Sequence, residues 1–174
     1  MTKKAVAHEI ISWVLTIVVA VVVAYLITHV IIVNAKVPSG SMENTIMTGD
    51  RIVANRMSYW FSEPQRFDIV VFPFPDDEKQ LFVKRIIGLP GETVEVINGA
   101  VYINGEPIDD SKYLKEPMMG SFGPFVVPDG CYFMMGDNRN DSNDSRFWIN
   151  KFVSGKKILG KAFLEYYPQI KLLH

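Results

Sequence analysis

Two short stretches carry side chains suited to nucleophilic chemistry. Val37-Pro-Ser-Gly-Ser-Met42 offers two hydroxyls, Ser39 and Ser41, across a turn that Pro38 and Gly40 constrain. A bare Ser-x-Ser is most often a turn or a helix cap. Phe82-Val-Lys-Arg-Ile-Ile87 reads as a strand with Phe82, Lys84 and Ile86 on one face and Val83, Arg85 and Ile87 on the other. Such a lysine usually lays its stem over apolar surface and keeps its head in water. Burying the amine instead disfavours the ammonium and lowers its pKa. At the ordinary value of about 10.4, roughly one lysine in 2,500 is neutral at pH 7. At about 8 the fraction is roughly one in ten, and the amine becomes a usable base. That shift corresponds to roughly 3 kcal/mol of environment.

Serine needs such a partner, because its hydroxyl attacks poorly until a base takes the proton. The histidines are His8, His29 and His174, so residues 30–173 contain no imidazole. A Ser–His–Asp triad is excluded there, whereas a Ser–Lys dyad stays open. The spacing does not say whether Ser41 and Lys84 meet. A third polar stretch, Gly136-Asp-Asn-Arg-Asn-Asp-Ser-Asn-Asp-Ser-Arg146, is dense in carboxylates and amides. Started at Asp141 as a calcium loop, it puts Arg146 where glycine belongs and Phe152 where the bidentate glutamate belongs, so that reading fails. It is either a self-bonded turn or a shell around a nearby site. Gly88-Leu-Pro-Gly91 lacks the Gly-Lys-Ser/Thr ending of a phosphate loop and reads as a turn. The single cysteine, Cys131, excludes an intrachain disulfide framework and a Cys-rich zinc site, and reads as a small apolar residue.

The elements that must position these groups fall into two parts. The chain has 174 residues, 48% of them apolar and 21% charged. Ile10–Val33 is a run of 24 residues without Asp, Glu, Lys or Arg. As a helix it would be roughly 36 Å long, against a hydrocarbon core of about 30 Å. A cleavable signal peptide is the rival, with Lys3 and Lys4 as its charged start and Val33-Asn34-Ala35 as a small-x-small site. The apolar run is too long for that and favours a retained anchor. Lys3 and Lys4 favour a cytoplasmic tail at 1–9, a span at 10–33 and residues 34–174 outside the cytoplasm. His29 is the only titratable residue in the span and reads as a tolerated neutral imidazole. Beyond residue 33 the net charge is −2, which argues against nucleic acid as a partner.

Residues 34–174 read as short strands with turn punctuation. Arg51–Asn55, Asp68–Phe72, Leu81–Ile87, Thr93–Ile97, Ala100–Ile103, Cys131–Met135 and Lys161–Tyr166 are expected strands. Asn98-Gly99 marks a tight hairpin, and Asp76-Asp77-Glu78 an exposed turn. Residues 106–128 look loop-dominated. The expected fold is mainly β: an antiparallel catalytic core with a small inserted subdomain near 98–128, preceded by one transmembrane helix.

Taken in order, these segments resemble type I signal peptidase, the membrane-anchored Ser–Lys endopeptidase family. The resemblance rests on an anchor followed by Pro38-Ser-Gly-Ser-Met42, Gly49-Asp50, Lys84-Arg-Ile-Ile-Gly-Leu-Pro-Gly-Glu92, and Gly136-Asp-Asn-Arg139 with Asp144-Ser-Arg146. It implies Ser41 as nucleophile, Lys84 as general base and Ser39 as an oxyanion-hole donor beside the Ser41 N–H. It also implies that Ser142 orients the lysine, that Asp144 and Arg146 form a supporting ion pair with Asp137 in the same segment, and that Met42 lies near the substrate. Two positions depart from the family pattern: Asn44 replaces a common proline, and Ile149-Asn150 replaces a frequent glycine after Trp148. The implied activity is removal of signal peptides after small residues at the outer face of the plasma membrane, through an acyl-enzyme and without metal or organic cofactor. The implied partners are preprotein signal peptides, membrane lipid and a nearby secretion translocon. Ser41 lies eight residues past Val33, hence within about 29 Å of the anchor's end at full extension. Two rivals remain. A self-cleaving repressor-type Ser–Lys protease would need a DNA-binding module where this chain has its anchor, and a non-catalytic anchored β domain would bind a surface partner.

Overall fold

The computed structural model describes residues 3–173, which divide into one compact unit ending at Ile32 and another starting at Val33. In the first, α1 (Lys3–Leu26) continues into a π-helical turn at Ile27–Ile31. The Thr28 hydroxyl donates to the Ala24 carbonyl at 2.8 Å, competing with the backbone ladder just where the helix widens. Ile11–Ile31 has a mean hydropathy of 2.7 and is long and apolar enough to cross a membrane. The helical bounds differ from the expected 10–33. Helix begins at Lys3, inside the expected tail, and Ile32 and Val33 already belong to a strand. Residues 1 and 2 of that tail lie outside the described residues.

The second unit is built from strands. In chain order they are β1 (Ile32–Lys36), β2 (Arg51–Asn55), β3 (Ile69–Phe74), β4 (Asp77–Gly88), β5 (Thr93–Ile97), β6 (Ala100–Ile103), β7 (Glu106–Pro107), β8 (Phe122–Val126), β9 (Cys131–Met135), β10 (Val153–Ser154), β11 (Gly160–Tyr167) and β12 (Lys171–Leu172). The larger sheet runs β1-β2-β11-β3-β4-β9-β10, with β12 added to β11; the smaller runs β7-β6-β5-β8. The pairings among β2 to β12 are antiparallel. The fold is therefore mainly antiparallel β behind an apolar N-terminal helix.

β4 organises the unit through its period of two. Ile86 packs with Val70, Phe72 and Trp148, while Ile87 on the opposite face packs with Val94, Val101 and Phe133 of the layer joining the two sheets. β3 pairs with β4 from Leu81 to Arg85, whereas β9 covers the other edge only from Arg85 to Gly88. β4 starts at Asp77, so the turn expected at 76–78 shrinks to Pro75-Asp76. The smaller sheet starts at Thr93, before the expected boundary at 98. The stretch 106–128, expected as loop, holds β7, a 3-10 turn at Ser111–Tyr113 and β8.

Candidate active site

Ser41 sits in a 3-10 turn, Gly40–Met42, between β1 and β2. The loop is closed at its base by Val37 N–H donating to the Asp50 carbonyl and Gly49 N–H donating to the Val37 carbonyl. Its apolar side chains, Met42 and Ile46, are fully buried against Ile52 and Ile69. That burial fixes the turn and leaves Ser41 on its other side. Met42, expected beside the substrate, is instead core: an unbranched apolar side chain anchors the turn from behind and does not line the cleft.

Lys84, on β4, reaches the same point. Its Nζ is hydrogen-bonded to Ser41 Oγ, and both side chains are buried. The Phe82 ring centroid lies 5.4 Å from Nζ. Burial pushes the Lys84 pKa down from its usual value near 10.5 to about 8. Asp144 and Asp137 oppose that fall, and Arg146 adds to it. Ser39 Oγ stands 3.5 Å from Ser41 Oγ.

The polar stretch 136–146 surrounds the pair. Arg146 grips Asp144 with two bonds of 2.8 Å, and Asp144 also accepts from Gly136 N–H at 3.1 Å. Asp137 receives Arg85 Nε at 2.8 Å and Nη2 at 2.7 Å, with no exposed surface on either side chain. Ser142 is buried close by, yet its Oγ has no hydrogen-bond partner. The bond to Lys84 that the resemblance implies is not made. Ser142 Oγ packs over Gly136 instead, where an added Cβ would meet both it and the Ser41 carbonyl at 2.3 Å. Only glycine admits that approach.

Sequence reasoning gave no role to Asn138, Arg85, Arg139 or Asp110. Asn138 holds the nucleophile turn twice, through its N–H to the Ser41 carbonyl at 3.1 Å and its Nδ2 to the Gly40 carbonyl at 3.0 Å. Arg85 and Asp137 form a buried ion pair across 52 positions, and Arg139 pairs with Asp110. A partner that distant leaves no periodic signal; the one local hint was an arginine beside Lys84 facing a strand's apolar side.

A cleft of about 720 Å³ opens over Ser41 and Lys84. It is lined by β1 residues 34–36, the Val37–Ser41 loop, β4 residues 80–84, and Asp141 with Asn143. β1 is the outer strand of its sheet, and β4 has no strand neighbour on one side before Arg85. Among the described residues, two strand edges without a strand partner therefore border one cleft. Among the described residues, no group of three or more His, Cys, Asp or Glu is placed to hold a metal ion.

A family model described as signal peptidase, peptidase S26, matches residues 10–167 and sets the chain among the peptidases. A probable signal peptidase I-2 of Synechocystis sp. is 42% identical over 158 residues, covering 88% of this chain and 71% of that relative. Signal peptidase I S of Bacillus subtilis is 40% identical over 170 residues, covering 92% and 90%. A crystal structure of a signal peptidase I from Enterococcus faecalis superposes with a TM-score of 0.50 at 37% identity, over 57% of this chain and 97% of that one. The chain belongs to the signal peptidase, peptidase S26, family. Signal peptidase I function, rather than non-catalytic binding by an anchored β domain, is what the family and its named relatives support.

Proposed function

We propose that this protein cleaves signal peptides from preproteins with a Ser41–Lys84 dyad, working beside the outer face of the plasma membrane. The observation that carries the reading is the buried bond between Lys84 Nζ and Ser41 Oγ on the cleft. Neutral Lys84 takes the Ser41 proton as the hydroxyl attacks the scissile carbonyl. Ser39 Oγ and the Ser41 N–H donate to the oxyanion; losing one such donor typically costs about 3–4 kcal/mol. The ammonium then protonates the departing amine, and water hydrolyses the acyl-enzyme. The Asp144–Arg146 and Asp137–Arg85 pairs hold the segment around the amine without leaving a bare charge beside it.

An extended substrate would pair with the open edges of β1 and β4, its alternate side chains entering the cleft, where small residues fit. The apolar helix confines the enzyme to the bilayer that holds the signal sequence, raising effective concentration. Lys3 and Lys4 favour a cytoplasmic N-terminus, which puts the peptidase unit outside, near lipid and the translocon. The test is cleavage of a purified preprotein by the wild type, Ser41→Ala and Lys84→Ala. Product from the wild type alone, with all three folded, is expected. Cleavage surviving both substitutions contradicts the dyad, and none from any of the three favours a binding role.

A further inference from the structure

The smaller sheet sends one aromatic ring into the support of the dyad. Tyr113, in the 3-10 turn Ser111–Tyr113, packs against the Arg85 guanidinium, whose carbon stands over the ring 3.7 Å from its centroid. Arg85 follows Lys84 directly on β4 and holds buried Asp137 with two bonds. Its Nη1 also donates to the Phe67 carbonyl at 2.7 Å. Arg85 is thus enclosed between a carboxylate and an aromatic face, both nearly sealed from water. The strap bearing Tyr113 is tied to the nucleophile turn itself. Asn44 Nδ2 donates to the Tyr113 carbonyl at 3.0 Å, and Lys115 pairs with Glu43 at 2.7 Å. Asn44 holds a φ of 97°, which a proline ring cannot adopt, so this tie depends on the departure from the family pattern at that position.

We infer that Tyr113 is a positioning residue for the Ser41–Lys84 chemistry, acting by sealing the Arg85–Asp137 pair behind Lys84 rather than by touching substrate. The inference rests on the dyad reading above. Asp137 and Asp144 favour the Lys84 ammonium, Arg146 disfavours it, and Arg85 neutralises Asp137 from the opposite face of β4. Lys112, with Nζ 4.7 Å from the Tyr113 centroid, is a second charge at this ring. Removing the ring admits water beside the pair. Arg85 then holds Asp137 less firmly, so more of the Asp137 charge is left to favour the Lys84 ammonium, which raises the pH at which the base becomes neutral.

The test measures kcat and KM against pH for the full-length wild type, Tyr113→Phe, Tyr113→Leu and Tyr113→Ala, with Ser41→Ala and Lys84→Ala as controls. Phe keeps the ring, Leu keeps bulk without it, and unfolding midpoints report on folding. The rising limb of kcat should move up by about one pH unit in the Leu and Ala variants, with kcat near pH 7 down roughly tenfold and largely recovered at high pH. KM should stay within about twofold, and Tyr113→Phe should match the wild type. A limb unmoved in Tyr113→Leu, or activity lost equally at every pH, overturns the inference; if Tyr113→Ala does not fold, Tyr113→Leu decides. Activity in the Lys84→Ala or Ser41→Ala control would instead overturn the dyad reading on which it stands.

Discussion

Lys84 lowers the stability of the fold it serves. In the unfolded chain its amine keeps a proton up to about pH 10.4, whereas burial lets the folded protein release it near 8. Between those values the unfolded state binds more protons, so stability rises with pH across that window. Below pH 8 the full cost is present, roughly 3 kcal/mol. Lys84→Met should therefore be inactive yet more stable than the wild type by up to about 3 kcal/mol at pH 7, an advantage that fades by about pH 11. Denaturant unfolding at the two pH values checks this. An equal difference at both would mean the amine is not desolvated in the folded state. Ser142 belongs at this scale too: with an unpartnered buried Oγ beside the Ser41 carbonyl, it is the one implied neighbour of the lysine whose bond is absent.

At the scale of elements, β4 decides both chemistry and recognition. Its alternation sends Lys84 to the cleft and Arg85 to Asp137, and its edge lacks a strand neighbour just where residues 80–84 line the cleft. If substrate lies between that edge and β1, its successive N–H groups turn alternately to one strand and the other, so single ester replacements along the paired stretch of a signal-peptide substrate should each lower kcat/KM about fivefold, the worth of one hydrogen bond near 1 kcal/mol. Esters beyond that stretch should change little. Rates unchanged by every ester would exclude strand pairing. Much of this frame was legible in the sequence. β-Branched residues and Asn98-Gly99 marked β2, β5 and β6, and the apolar run Cys131–Met135 marked β9, each with its observed bounds. β1 was hidden because its first residues continue the apolar run of the helix. β8 was hidden by Gly123 and Pro124, which weaken a strand signal. β7, β10 and β12 are two residues each, too short for any period to register. Within the site, residue types pointed to a hydroxyl and an amine, but their meeting depends on a register between distant segments that no local pattern encodes.

For the whole molecule, the three apolar clusters are built from residues between Val33 and Leu173. A chain beginning at Val33 should therefore fold and cleave a soluble peptide at close to the full-length rate. On a preprotein inserted in vesicles it should fall behind by roughly 100-fold, because shared confinement in the bilayer is lost. Equal rates on the vesicle substrate would remove the case for the helix as a concentrating device. The most direct test of the central claim, a neutral buried lysine activating Ser41, is the pH dependence of kcat/KM for the wild type on a peptide without titratable groups. Cleavage should climb tenfold per pH unit at first and level off near pH 8, where half the amine is free. A limb still climbing at pH 10, the range of an ordinary solvated lysine, would contradict it.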